Sequence, residues 1–172
     1  TAVTLIPELA KKAEHVTMLQ RSPTYIAAKP NRDAVAALAD TVLPKRWAYF
    51  LTRWKNILVS IFLYWFCQTF PKAAKGSFLK ETRKALGPGF DVEKHFSPRY
   101  NPWDQRVCLA PDGDFFRTLR SGAASVVTDH IERFTKDGVR TKSGEVLEAD
   151  LVVTATGLDL KFLGDIPFEV DG

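Results

Sequence analysis

The sequence predicts an α/β fold, because helical and strand patterns alternate along its 172 residues. Apolar residues at helical spacing between Ala2 and Ala13 precede a β-branched run at 16–19, which is the helix–strand order of a βαβ unit. Residues 151–155 form a continuous apolar run of the kind that buried parallel strands carry. Between these segments the pattern is mainly helical. The composition, 45% hydrophobic and 26% charged, is that of a globular protein.

The predicted strand at 16–19 is followed directly by three polar residues, Gln20, Arg21 and Ser22. In nucleotide-binding βαβ units the end of the second strand faces the adenosine ribose, where an acidic residue selects NAD and an arginine accommodates the 2′-phosphate of NADP. The Arg21 guanidinium is a planar, permanently charged donor suited to phosphate oxygens. A solvated arginine at a strand end is the alternative. The preceding helix and strand favour the first interpretation, so we predict that residues 1–30 belong to a Rossmann-like domain that binds NADPH.

The glycine-rich turn of a Rossmann domain is expected just before its first helix, because glycine lets the backbone approach the pyrophosphate. Thr1 and Ala2 stand where that turn would end, and the chain contains no G-x-G-x-x-G motif. We therefore interpret the chain as an internal piece of a longer protein.

Residues 31–122 are predicted to form a helical insertion. Asn31 or Asp33 can cap a short alanine-rich helix, and Pro44 suits the first turn of a long one. A third helix over 72–86 is expected to end at a glycine C-cap.

The end of this insertion is expected to be less regular. Residues 95–111 contain three prolines and are predicted to be irregular. Asp112 is then expected to cap a short helix that Gly122 ends.

The long helix predicted from Pro44 carries apolar residues at three- and four-residue spacing. This apolar stripe consists of Trp47, Phe50, Leu51, Trp54, Leu58, Ile61, Phe62, Trp65 and Phe66. Because such stripes usually pack into a core, we expect it to lie against the nucleotide-binding domains. The alternative is an interfacial helix on a membrane surface, since Lys45, Arg46, Arg53 and Lys55 flank it.

Residues 123–157 are predicted to lead the chain back to the nucleotide-binding domain through β-structure. A strand over 125–128 is followed by three short strands that turn at Asp137-Gly138 and Ser143-Gly144, which is the pattern of a meander. The apolar run at 151–155 follows, and Thr156 and Gly157 end it.

Composition and motif content argue against several other classes of protein. The net charge of +4 is modest, and its scattered basic residues do not favour a nucleic-acid partner. Cys67 and Cys108 form no C-x-x-C pair, and the three histidines have no metal-ligand spacing. No serine lies in a G-x-S-x-G motif. We expect no metal and a reducing, cytoplasmic compartment, with peripheral membrane association as the alternative.

Four short segments match, in order, the motifs of one enzyme family. They are Thr1–Thr4, residues 16–23, residues 101–106 and residues 155–157. This set resembles the central portion of flavin-dependent (class B) monooxygenases of the Baeyer–Villiger or flavin-containing type. In that family the segments are the end of the NADPH-binding turn, the second strand, the loop that presents a catalytic arginine, and the joint between the nucleotide domains.

The resemblance implies a role for each matched residue. Arg106 would be the catalytic arginine, whose charge stabilises a peroxyflavin anion, although an ion pair with Asp104 is the structural alternative. Arg21 and Ser22 would bind the 2′-phosphate of NADPH. Gln105 stands where several members of the family have a lysine, so it would supply a hydrogen bond without charge. The other cofactor-binding residues implied are Thr1, Ala2, Ala155, Thr156 and Gly157.

The resemblance also implies the fold and activity of the longer protein. The fold would be the Rossmann-like NADPH-binding domain of a two-dinucleotide-binding flavoprotein. Residues 31–122 would form a helical insertion with the active-site loop, and residues 123–157 would lead back to the nucleotide-binding domain through the β-meander. Residues 158–172 would be the start of an FAD-domain segment. With NADPH and FAD as cofactors, one oxygen atom from O2 would enter a small hydrophobic ketone or oxidise the sulfur or nitrogen of a thioether or amine. A flavoprotein reductase and a non-catalytic nucleotide-binding or membrane-docking module are the alternatives. The chain alone is expected to be inactive.

Overall fold

The structure is a computed structural model that describes residues 2–157, 161, 164 and 166–171. Thr1 and much of the predicted FAD-domain segment at 158–172 lie outside the described residues. The elements, in chain order, are α1 (Ala2–Leu9), β1 (Val16–Gln20), β2 (Tyr25–Lys29), α2 (Ala34–Val42), α3 (Lys45–Thr69), α4 (Pro71–Leu86), α5 (Val92–Phe96), β3 (Val107–Pro111), α6 (Asp114–Arg120), β4 (Ala124–Thr128), β5 (Ile131–Thr135), β6 (Gly138–Thr141) and β7 (Val146–Glu148).

Two parallel strand pairs organise the fold. β1 pairs with β4, from Val16 opposite Ala124 to Gln20 opposite Thr128. β2 pairs with β3 in the same parallel sense. In each pair the two strands are far apart in sequence and are connected through helices, as parallel pairing requires. This arrangement is compatible with the predicted α/β class.

The core lies where α1, α4, α5 and α6 meet these strands. Phe96, Phe115 and Phe116 form its aromatic centre, with ring centroids 5.6 to 6.4 Å apart in edge-to-face contact. This geometry adds a favourable electrostatic term to the burial of the rings. The buried residues around them are Val3, Ile6, Ile26, Leu79, Leu86, Val92, Ala110, Leu119 and Ala124.

The predicted meander is confirmed. β5, β6 and β7 form an antiparallel three-stranded sheet. Gly138, at the first turn, has a φ of 149°, and a Cβ atom at this position would lie 2.0 Å from the backbone oxygen of Leu147. Because β6 and β7 approach each other closely at this point, position 138 requires glycine.

The helices of the insertion begin and end close to their predicted limits. Asp33 caps α2, because its carboxylate accepts hydrogen bonds from the backbone N–H groups of Val35 and Ala36 at 3.0 and 3.2 Å. α3 follows Pro44, and α4 ends at Gly87. α3 packs on α2 and on α4, and α3 and α4 are bent by 113° relative to each other.

The apolar stripe of α3 is not buried as expected. Eight of its nine members, from Trp47 to Trp65, are at least 48% exposed, and Phe66 is half-buried. The buried residues of α3 are instead Ala48 and Cys67. No single helix in the described part of the chain is long and apolar enough to cross a membrane; α3 and α4 meet that criterion only when taken together as a bent pair.

One further prediction of local structure is wrong. Residues 107–111 were expected to be irregular, but they form β3, because β2 supplies their hydrogen-bonding partners. The predicted strand over 151–155 is absent from the described structure. Leu151 is 77% exposed, since no described strand pairs with this run.

Candidate functional site

Arg21 and Ser22 lie at the carboxyl ends of β1 and β4. Both side chains are exposed and follow β1 directly. The backbone N–H of Asp129 donates to the carbonyl of Gln20 at 3.0 Å, so the pairing of the two strands continues up to Arg21. Among the described residues Arg21 forms no ion pair. Its guanidinium is therefore free to meet an anion at this edge.

A polar cluster beneath this edge holds the strand ends together. The Gln20 amide donates to the carbonyl of His95 at 2.7 Å and to Oγ1 of Thr128 at 2.9 Å. Nδ1 of His95 lies 2.7 Å from the same Thr128 hydroxyl. Burial lowers the pKa of His95 from its ordinary value, which favours the neutral ring. This cluster was not predicted, because its only signal in the sequence is Gln20, an amide residue at the end of an apolar strand.

Arg106 lies at the end of the loop over residues 97–106, immediately before β3. Tyr100 anchors this loop: its hydroxyl lies 2.7 Å from Oγ1 of Thr24, and its carbonyl accepts from the Tyr25 hydroxyl at 2.8 Å. Burial raises the pKa of Tyr25 to about 12, with smaller contributions from Tyr100 and a nearby carboxylate. The Tyr25 phenol therefore stays protonated and keeps donating to the loop at neutral pH.

Within this loop Asp104 closes a tight turn. Its carboxylate accepts from the backbone N–H of Asn101 at 3.2 Å, and its own N–H donates to the Asn101 carbonyl at 3.1 Å. Burial raises the pKa of the Cys67 thiol near the end of α3, and the side chain of the neighbouring Trp103 opposes this rise. The Arg106–Asp104 ion pair considered from the sequence is not formed, and Arg106 is exposed without an ion pair in the described part of the chain.

The register of β2 and β3 brings the two arginine-bearing loops together. Tyr25 lies opposite Val107, so Arg106 lies beside Thr24 at the start of this parallel pair. The three Cα–Cα steps from Arg21 to Thr24 span at most about 11 Å, and neighbouring strands are about 5 Å apart. The Cα atoms of the two arginines therefore lie within about 16 Å of each other.

The other predicted site residues differ in their placement. Ala2 begins α1 and is partly buried against the core. Gln105 is exposed next to Arg106. Residues 155–157 are exposed and, as far as the structure describes the chain, make no hydrogen bond with either arginine-bearing loop. Thr1 lies outside the described residues. The structure thus places Arg21, Ser22, Gln105 and Arg106 on two neighbouring loops.

An apolar cleft lies between α3, α4 and β2. Its volume is about 430 Å³, which is within the range of small-molecule sites. Its walls are mainly apolar and include Leu63, Phe66, Cys67, Phe78, Ala85 and Phe116. No group of three or more His, Cys, Asp or Glu side chains that could hold a metal ion occurs among the described residues.

Parallel strand pairs joined by helices, with an exposed arginine at their carboxyl edge, are typical of nucleotide-binding α/β proteins. Comparison with known proteins makes this class more specific. The chain is homologous over its full length to FAD-containing monooxygenases, which confirms the resemblance found in the sequence.

Three relatives illustrate this homology. The FAD-containing monooxygenase EthA of Mycobacterium tuberculosis (strain ATCC 25618 / H37Rv) is 51% identical over 173 residues, covering 100% of this chain and 35% of EthA. EthA of Mycolicibacterium smegmatis is 52% identical over 165 residues, covering 95% of this chain and 34% of that protein. The Probable FAD-binding monooxygenase AlmA of Acinetobacter baylyi is 53% identical over 173 residues, covering 100% of this chain and 34% of AlmA.

The chain spans about a third of the length of these relatives. No protein-family model matches it, and no solved structure matches it.

Proposed function

We propose that the full-length protein is an NADPH- and FAD-dependent monooxygenase, in which this chain supplies the NADPH-binding edge and an active-site arginine. The proposal rests on Arg21 and Arg106, which are both exposed and form no ion pair among the described residues. Tyr100 joins the two loops that carry these arginines. Homology to proteins named FAD-containing monooxygenases supports the flavin cofactor.

The edge that carries Arg21 fits the ribose 2′-phosphate of NADPH. A guanidinium pairs with phosphate oxygens through two parallel hydrogen bonds, and the cluster around Gln20 fixes the strand end from which Arg21 projects. The Ser22 hydroxyl and the Gln105 amide would add neutral hydrogen bonds. The N-terminus of α1, with Thr1 and Ala2, would direct backbone N–H groups at the pyrophosphate.

A Rossmann-like sheet also accounts for the unpaired run at 151–155. β1 pairs with β4 on one edge, and its other edge has no described strand. One further parallel strand between β1 and residues 151–155 would bury Leu151 and its neighbours. Because parallel strands end at the same edge, this strand would place residues 155–157 on the side of Arg21. The assignment of 158–172 to the start of an FAD-domain segment belongs to the same proposal.

Bound FAD would supply the redox chemistry, accepting hydride from NADPH and activating O2. The task of Arg106 is electrostatic: a fixed cation stabilises negative charge that develops at the reacting oxygen. Tyr25 and Tyr100 hold its loop in place. The substrate class we propose is a small hydrophobic ketone, thioether or amine, which the apolar cleft between α3, α4 and β2 would suit.

The coenzyme assignment is tested with Arg21→Glu in the full-length protein. We expect the KM for NADPH to rise about 10- to 100-fold, because charge-assisted hydrogen bonds contribute about 1.5–3 kcal/mol, whereas the KM for NADH changes little. Arg133→Glu, at an exposed arginine on β5, is the control and should behave as the unmodified protein. An unchanged preference between NADPH and NADH in Arg21→Glu would contradict the assignment.

The role of Arg106 is tested by measuring oxygenated product and hydrogen peroxide per NADPH consumed. Arg106→Ala is expected to lower product per NADPH at least about tenfold and to release peroxide instead. Arg99→Ala, at an exposed arginine of the same loop, should leave the ratio unchanged. NADPH oxidation without oxygenated product in the unmodified protein would indicate a reductase, and coenzyme binding without oxidation would indicate a binding module.

A further inference from the structure

We propose that Thr128 and His95 are positioning residues for the edge that carries Arg21. They hold the Gln20 side chain and, through it, the backbone from which Arg21 projects. The inference rests on the proposed function, in which Arg21 binds the 2′-phosphate of NADPH. The cluster of Gln20, Thr128 and His95 carries it, because three partly buried side chains from β1, β4 and α5 meet at the residue that precedes Arg21.

The hydrogen bonds of this cluster run in one direction. The His95 carbonyl can only accept, so the atom of the Gln20 amide that lies 2.7 Å from it is the nitrogen. The same nitrogen donates to Oγ1 of Thr128 at 2.9 Å. The Thr128 hydroxyl is then free to donate its own proton to Nδ1 of His95, 2.7 Å away. This last bond needs a neutral ring, which the lowered pKa of His95 favours.

Gln20 is held by its backbone as well as by its side chain. Its carbonyl accepts from the backbone N–H of Asp129 at 3.0 Å. Asp129 is itself fixed to the meander, because its carboxylate accepts from the backbone N–H of Ser143 at 3.1 Å. β1 ends at Gln20, and the exposed Arg21 follows without an ion pair among the described residues. As far as the structure describes the chain, the placement of Arg21 thus depends on Gln20.

The Arg106 loop has anchors of its own, so the cluster should act selectively on Arg21. The loop is held by two tyrosines and by Lys75 on α4, whose Nζ donates to the carbonyl of Pro98 at 2.8 Å. None of these bonds involves a side chain of the cluster. Loss of the Thr128 hydroxyl is therefore expected to weaken binding of the 2′-phosphate while the chemistry at Arg106 continues.

The inference is tested by calorimetric titration of the full-length protein with adenosine 2′,5′-bisphosphate and with adenosine 5′-monophosphate, which lacks the 2′-phosphate. Thr128→Val removes the hydroxyl and leaves a side chain of the same shape. We expect its Kd for the bisphosphate to rise about 3- to 10-fold, because hydrogen bonds that position the cation are lost, and its Kd for the monophosphate to stay unchanged. Thr128→Ser, which keeps the hydroxyl, should bind as the unmodified protein. So should Thr17→Val, the matched control on β1 outside the cluster.

The second positioning residue is tested in the same titrations. His95→Leu removes the acceptor of the Thr128 proton and should weaken binding of the bisphosphate as Thr128→Val does. His95→Asn can place its side-chain oxygen close to the former position of Nδ1, so it should bind as the unmodified protein. In turnover, Thr128→Val and His95→Leu should raise the KM for NADPH while oxygenated product per NADPH stays the same, as expected when only binding is lost.

Arg21→Glu separates this inference from the proposed function. If Arg21→Glu does not weaken binding of the bisphosphate, the coenzyme assignment fails and the inference fails with it. If it does, adding Thr128→Val should weaken binding no further, because two residues that act through one interaction are not additive. Three outcomes would overturn the inference alone. They are unchanged binding in Thr128→Val, an equal loss for the bisphosphate and the monophosphate, and a further loss in the double variant.

Discussion

The core of the α/β body and the α2–α3 hairpin use the same kinds of side chain in opposite ways. Phe115 in the core is 0% exposed, whereas Phe62 on α3 is 61% exposed. Yet both make close aromatic contacts: the rings of Phe96 and Phe115 are 6.3 Å apart, and those of Phe62 and Trp65 are 5.9 Å apart. Residues three and four apart on any helix can touch. Contact between rings on the same helix therefore does not imply that the rings are buried. Burial requires a second helix or strand that packs against them.

The largest expected difference between the two regions is in the cost of truncating a phenylalanine. Phe115→Ala should lower the free energy of unfolding by about 3–5 kcal/mol, because it leaves a cavity in the core. Phe62→Ala should change it by no more than about 0.5 kcal/mol, as for other exposed positions. Urea denaturation of the full-length protein measures both. A similar loss in the two variants would show that the stripe is buried in the full-length protein.

A smaller effect is expected from the hydrogen bond that anchors the Arg106 loop to the body. Tyr25→Phe removes the donor to the Tyr100 carbonyl and should cost about 1–2 kcal/mol, because a partly buried acceptor loses its partner. Tyr64→Phe on the hairpin, at a side chain 55% exposed, should cost nothing measurable. Limited proteolysis should cut the loop over 97–106 faster in Tyr25→Phe alone.

Between about pH 7.5 and 5.5 we expect a pH dependence of stability that arises in the body, at His95. Burial lowers the pKa of His95, so the stability contributed by its neutral ring is complete above the ordinary histidine value near 6.5 and is lost as the pH falls below it. Replacing the ring by an amide in His95→Gln should flatten the fall in unfolding midpoint between about pH 7.5 and 5.5. His130→Gln, at an exposed histidine, should retain the fall. Identical profiles for the two variants would contradict this assignment.

The smallest effect on global stability is expected from a substitution in the hairpin. Asp33→Ala removes the cap of α2 and its ion pair with α3. Amide exchange should accelerate within α2 and at the adjoining part of α3, while the amides of α6 and the global unfolding midpoint stay unchanged. Asp40→Ala, on the exposed face of α2, is the control and should leave exchange unaltered. A lower global midpoint in Asp33→Ala would show that the hairpin folds as one unit with the body.

Most elements of local origin could be predicted from the sequence. The structure agrees with the sequence prediction for β1, the three strands of the meander and the long helices. Their signals are local: Asp33 at a cap, Pro44 before α3 and Gly138 at a turn. Arg21 was found at the end of β1 by the same reasoning. Its lack of an ion pair among the described residues is a property that only the three-dimensional structure gives.

The remaining features depend on partners that are distant in sequence. β2 and β3 are short and lie beside prolines, and each is stabilised as a strand by the other. The cluster of Gln20, His95 and Thr128 joins three elements that have no common motif. The run at 151–155 has a strand composition but no described partner. The composition thus indicated which segments are apolar, but not which of them are buried against another part of the protein.

The pairing of β1 with β4 has a consequence for synthesis of the protein on the ribosome. Thr17 and its partner Ser125 are 108 residues apart, and translation at about 5–20 residues per second takes on the order of ten seconds to cover that interval. Both helices of the hairpin emerge within this delay, before β1 can acquire its parallel neighbour. The nascent chain therefore exposes its most aromatic segment first, and chaperones or lipid can reach that segment before the body closes.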